Sequence, residues 1–91
     1  MDKYESVWDA LETDPVLANN MKMKSDLLIE IERIIKQRGL TQTEAAKILK
    51  ISQPRVSQLL DGRIENFRLD ALVGFATRLG LDVKIQGAAR Y

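Results

Sequence analysis

The stretch "TQTEAAKILKISQPRVSQLLDG", Thr41 to Gly62, constrains this chain more than any other, because it holds two helix starts with almost no chain between the helices. Thr41 and Glu44 stand at capping-box spacing and are followed by Ala45, Ala46, Ile48 and Leu49, which predicts a helix of about two turns beginning at Gln42. Only Lys50 and Ile51 then precede Ser52, a good N-cap for a second helix whose Val56, Leu59 and Leu60 face inward and which Asp61-Gly62 stops. Pro54 is tolerated because it falls in the first turn, where its missing N–H costs nothing and its fixed φ is already helical. Where two such helices cross, the first needs a small residue, the turn an apolar plug and the second helix apolar anchors. Ala46, Ile51, and Val56 with Leu59 meet those needs. This is the spelling of a helix-turn-helix.

The flanks read less evenly. Leu27, Leu28, Ile31, Ile34 and Ile35 form an apolar stripe at helical spacing, ended by Gly39 as a residue just past the helix. Leu69, Leu72, Val73, Ala76 and Leu79 predict a further helix closed by Gly80, and Ile64 and Phe67 are expected to pin the loop before it. Near the start, Val7, Trp8 and Leu11 predict a short leading helix ending around Thr13 to Pro15, although Asp14-Pro15 would equally open the next helix. Residues 21–24 fit strand alternation and a helix face alike, and that alternative stays open. "LDVKIQ", with Leu81, Val83 and Ile85 alternating with polar residues, predicts one half-buried strand, which needs a partner in residues 21–24 or in a second subunit.

Composition excludes most chemistry. The 91 residues include no cysteine and no histidine, so disulfides, thiolate nucleophiles, imidazole catalysis and nearly all zinc, iron or copper sites are set aside. No base–nucleophile pair and no glycine-rich phosphate loop is visible, so neither an enzyme nor a cofactor is expected. The N-terminus is amphipathic and acidic, and the longest uncharged apolar run, Ala71 to Ala76, is far too short to span a bilayer, which predicts a cytoplasmic protein without a membrane partner. The net charge of +1 hides a division, with −2 over residues 1–24 and +4 over residues 36–68. The basic excess surrounds the two short helices.

On these residues "LTQTEAAKILKISQPRVSQLLDGR" resembles the Xre-type helix-turn-helix family, whose members share the lambda repressor and Cro fold, over Ser25 to about Leu79. With the flanks from "VWDAL" to "LDVKI", the chain looks like the compact HigA-type antitoxins. The resemblance implies an all-α bundle of about five helices with a short C-terminal β-strand. It divides the chain into an N-terminal extension, 1–24, a DNA-binding domain, 25–80, and a C-terminal strand and tail, 81–91, belonging to the same domain or to a dimer interface. Two departures stand out. Family members commonly have glycine where this chain has Lys50, which must accept a left-handed backbone or reshape the turn, and Arg68 replaces a serine that usually caps the following helix.

With Val56, Leu59 and Leu60 turned inward, the outer face of the second helix presents Gln53, Pro54, Ser57 and Gln58, flanked by Arg55, and the N-terminal end of such a helix enters the major groove. Gln53 and Gln58 carry amides able to pair bidentately with adenine, Arg55 a fork that matches guanine or a phosphate, Ser57 a hydroxyl suited to either, and Pro54 an apolar surface for a thymine methyl. Gln42 and Thr43 are placed to meet phosphate through side chains and free N–H groups, and Ser52 belongs to the same set. In the family a glutamine at the Gln42 position touches the DNA backbone beside the one at Gln53. Arg63, with Lys47 and Lys50, would add affinity without sequence information. One short helix reads few base pairs, so a homodimer on a palindromic operator is expected, its half-sites about 34 Å apart. Together these readings describe a sequence-specific repressor. The HigA resemblance implies the antitoxin of a toxin–antitoxin pair that represses its own operon. A stand-alone Xre-type regulator with no toxin is the alternative.

Overall fold

The computed structural model describes residues 14–89. Four α-helices follow one another there: α1, Pro15–Gln37; α2, Gln42–Leu49; α3, Gln53–Leu60; and α4, Leu69–Arg78, with a single 3-10 turn, Ile64–Asn66, between α3 and α4. Among the described residues there is no strand.

Each helix starts and stops for a local reason. Asp14 caps α1, its side chain accepting from the Val16 N–H at 2.9 Å with Pro15 next in the chain. At α2 the capping box closes in both directions: Thr41 Oγ1 accepts from the Glu44 N–H at 3.1 Å, and Glu44 Oε1 accepts from the Thr41 N–H at 3.0 Å. Ser52 caps α3 by accepting from the Arg55 N–H at 3.3 Å. Arg68 precedes α4 without a side-chain capping bond and instead meets Asp70 Oδ1 at 3.3 Å.

The helix ends share one device, a left-handed residue that turns two N–H groups back onto the last free carbonyls. Beyond α1, the Gly39 N–H donates to the Lys36 carbonyl at 3.1 Å and the Leu40 N–H to the Ile35 carbonyl at 3.0 Å. Gly62 and Gly80 do the same after α3 and α4. After α2 the residue is Lys50, at φ 59 and ψ 43, with the Ile51 N–H donating to the Ala46 carbonyl at 3.1 Å. Lys50 therefore accepts the left-handed backbone rather than reshaping the turn.

The apolar faces these helices present close over a single core. Leu28, Ile31 and Ile35 of α1 pack along α4 and its Leu72, Phe75 and Ala76, while Ala45, Ala46 and Leu49 of α2 meet Val56 and Leu59 of α3. Phe67 completes the core and meets Phe75 edge to face, with centroids 6.0 Å apart and rings 79° to one another. Ile51 and Ile64 pack against this cluster from the two loops. Leu40 and Leu81, just past their helix stops, lie on its border, so each stop also aims an apolar side chain inward.

Two expectations are corrected. The strand predicted over residues 81–86 does not form: residues 81–89 carry no regular secondary structure, and Val83 and Ile85 are exposed, the latter at 92%. A strand needs a ladder partner, and residues 21–24, its candidate partner within the chain, lie in α1, which settles their ambiguity as helix. The bundle of about five helices becomes four among the described residues, because the leading helix expected around Val7, Trp8 and Leu11 lies outside them. α1 itself is 23 residues long and runs without interruption through positions 24 and 25. Its first turns reach past the core, which leaves Val16 73% exposed and Leu17 and Met23 partly so.

A helix-turn-helix face built for nucleic acid

α2 and α3 are joined by Lys50, Ile51 and Ser52 alone, and the buried side chains on both sides of that turn fix which face of α3 is left outward. Val56 and Leu59 are fully buried, so Gln53, Pro54, Ser57 and Gln58 lie on the opposite side of the helix. Gln53 and Pro54 are exposed, whereas Ser57 and Gln58, further along, are half-buried. The structure thus brings the predicted α3 residues to one surface beside Gln42 and Thr43, both exposed at the start of α2.

Two side-chain links organise this surface. Gln53 Nε2 donates to Thr43 Oγ1 at 2.9 Å, tying the first residue of α3 to the first turn of α2. The partner of Gln53 is Thr43 and not the neighbouring Gln42. Arg55 makes the second link: its Nη1 donates to Gln58 Oε1 at 3.2 Å, its Nη2 donates to the Asn66 carbonyl at 3.1 Å, and its guanidinium carbon stands 3.9 Å from the centre of the Phe67 ring. The guanidinium is therefore held by a charge-to-ring contact and two hydrogen bonds at once.

The donors at the helix starts are partly used. The Arg55 N–H is used in the bond to the Ser52 hydroxyl, and Pro54 has no N–H to offer. On α2 the capping box consumes the Thr41 and Glu44 amides, while those of Gln42 and Thr43 find no protein acceptor among the described residues. Both point outward from the positive end of the helix, the arrangement that suits a phosphate oxygen. The Glu44 carboxyl is held below its ordinary pKa by hydrogen bonds from the Thr41 backbone and then the Thr41 hydroxyl, with Lys47 adding to the effect. Its charge is spent inside the cap.

Lys47, Lys50 and Arg63 are exposed and have no ion-pair partner among the described residues, whereas Arg68 is paired with Asp70. An unpaired basic fringe around a polar helix face favours a polyanion. Among the described residues no cluster of acidic side chains could hold a metal ion.

One feature of this surface is invisible in the pattern of the sequence. The platform under Arg55 comes from Asn66 and Phe67, eleven and twelve residues further on, and only the 3-10 turn Ile64–Asn66 brings them back beneath α3. Arginine beside a polar helix face signals an outward charge, and no spacing in the chain marks it as a clamp.

Fold and surface together define a helix-turn-helix protein. A family model described as a helix-turn-helix domain matches residues 13–86, and the chain belongs to that family. A solved structure named as an XRE-family transcriptional regulator has a TM-score of 0.74 and 30% identity to this chain, with 80% of this chain and 82% of that one covered. This places the chain among Xre-type helix-turn-helix proteins. No curated protein sequence matches the chain.

Proposed function

We propose that the protein is a sequence-specific DNA-binding transcriptional repressor that places the N-terminal half of α3 in the major groove. The observation that carries this reading is the outward face of α3, where Gln53 and Gln58 stand one helical turn and a half apart with Ser57 between them, over a helix anchored from below by Val56 and Leu59. The free amides of Gln42 and Thr43 supply the phosphate contacts that set register, with Ser52 and Arg63 at the margins. The XRE-family neighbour, described as a transcriptional regulator, supports the same role.

The repressor acts as a homodimer on a palindromic operator, and it is the antitoxin of a type II toxin–antitoxin pair. The uncovered apolar side chains at both ends of the described chain, Val16 and Leu17 on α1 and Val83 and Ile85 in the tail, support an assembly larger than one subunit. The site of action is the cytoplasm; among the described residues no helix is long and apolar enough to cross a membrane. The stand-alone regulator, without a toxin, is the second reading. A co-transcribed neighbouring frame encoding a small basic protein distinguishes the two, and its absence would favour the second.

A gel shift on the DNA upstream of the protein's own gene tests the binding itself. Wild type should retard that fragment, and Gln53→Ala with Gln58→Ala should lose at least tenfold in affinity for it, since a good base contact discriminates by about 1–3 kcal/mol. Equal binding by both proteins would refute this assignment of the reading face.

A further inference from the structure

We infer that Arg55 is a positioning residue that fixes the amide of Gln58, so that Gln58 meets DNA through its Nε2 donor and reads an acceptor edge: purine N7, guanine O6 or thymine O4. This inference rests on the DNA-binding reading proposed above and adds to it which base edge is read.

A guanidinium only donates, so the amide atom of Gln58 that faces Arg55 Nη1 at 3.2 Å must be the carbonyl oxygen. The usual ambiguity between the oxygen and nitrogen of a glutamine is removed by its partner. Arg55 is itself immobilised from two further directions, by the Asn66 carbonyl at 3.1 Å and by the face of Phe67 at 3.9 Å. Phe67 is only 2% exposed and braced by Phe75, so the platform does not yield easily. Gln58 is half-buried, which restricts it further.

Bidentate pairing with adenine needs both amide atoms aimed at the base, the oxygen toward N6 and the nitrogen toward N7. Arg55 takes one of the two lone pairs of Oε1 and holds that oxygen toward the guanidinium, so the NH2 is the half of the amide turned away from Arg55. In that orientation the half offered to a base is a donor, which finds acceptors on guanine, adenine N7 and thymine and meets only a donor on cytosine. Gln53 differs, because its partner Thr43 is a hydroxyl that can donate or accept, and its amide keeps both options.

The test uses the full chain and a duplex enriched from a random library by the wild-type protein. Fluorescence anisotropy with Gln58→Ala first finds the base whose preference is relaxed. At that base the acceptor is then deleted, with a 7-deazapurine or a pyrimidinone lacking O4, and in a separate duplex an adenine there is replaced by purine to delete its amino group. Wild type should lose about tenfold on losing the acceptor and change less than twofold on losing the amino group. Arg55→Met, which keeps an apolar cover over Phe67 without the fork, should lose the preference at this same base while its melting temperature and the salt dependence of binding stay near wild type.

The inference is overturned, with DNA binding intact, if removal of the amino group is what weakens wild type, or if Arg55→Met keeps the wild-type preference. It is likewise overturned if the salt slope of Arg55→Met falls by about one contact, whatever happens to the preference, which would make Arg55 a phosphate ligand. Failure of the wild-type protein to enrich any sequence overturns the DNA-binding reading itself.

Discussion

Lys50 shows how a single residue can sit against its own preference because its neighbours leave no alternative. A left-handed backbone costs a side chain with Cβ about 1–2 kcal/mol relative to glycine, yet the turn between α2 and α3 requires φ 59 there. The Ile51 plug and the burial of Ala46 and Val56 hold the position regardless. Relief of the left-handed strain favours Lys50→Gly by about 1–2 kcal/mol, and glycine's freer unfolded state takes back about 0.4–1 kcal/mol, so the variant should melt slightly higher than wild type. An unchanged or lower melting temperature would mean that the Lys50 side chain stabilises the turn in a way its exposure does not reveal. The glycine's absence was legible in the sequence as a departure; the Arg55 clamp was not. Position 50 is judged against the local turn, but Arg55 is judged against Phe67 and Asn66, whose return beneath α3 depends on the whole loop.

At the scale of elements, caps do most of the specifying. Asp14, Thr41 with Glu44, and Ser52 place three helix starts; because capping is a matter of a few neighbouring residues, those at Thr41 and Ser52 could be read from spelling alone, while Asp14-Pro15 fitted a helix end as well as a start. Thr41→Ala should cost about 1 kcal/mol, measured by chemical denaturation, and its effect should fall chiefly on the α2–α3 unit. The same cap predicts a pH response. The Glu44 carboxyl has its pKa lowered in the folded state by the Thr41 bonds, so it contributes stability above the unfolded value near 4.5 and loses it as the pH falls through the lower folded value. Glu44→Gln should flatten that acid limb of the stability profile, and an unaltered limb would show that the carboxylate charge does not matter to the cap. The tail illustrates the opposite case. Alternation of Leu81, Val83 and Ile85 is a real pattern, but a strand is a property of two segments, and nothing within residues 14–89 supplies the second.

For the molecule as a whole, one small core carries the fold and the reading face together. Leu59 is fully buried at the centre of it, directly beneath the outward face of α3. Leu59→Ala should destabilise by about 2–5 kcal/mol and abolish DNA binding through unfolding, which a melt separates from the surface variants. The apolar residues left bare at Val16, Leu17, Val83 and Ile85 bear on assembly. Sedimentation of the full chain should give twice the monomer mass at micromolar concentration, and Ile85→Glu should shift it toward monomer if the tail contributes to the dimer. The basic fringe of Lys47, Lys50 and Arg63 should make DNA affinity fall steeply between low and moderate salt, with a log–log slope close to the number of phosphates engaged.

The most direct test of the central claim is a heteronuclear NMR titration of the labelled full chain with a duplex from its own upstream region. The largest shifts are expected at the backbone amides of Gln42, Thr43, Ser52, Gln53 and residues 55–58 and at the side-chain amides of Gln53 and Gln58, with α1 and α4 little changed. Shifts concentrated on α1 or the tail, with the α3 amides unmoved, would contradict the claim.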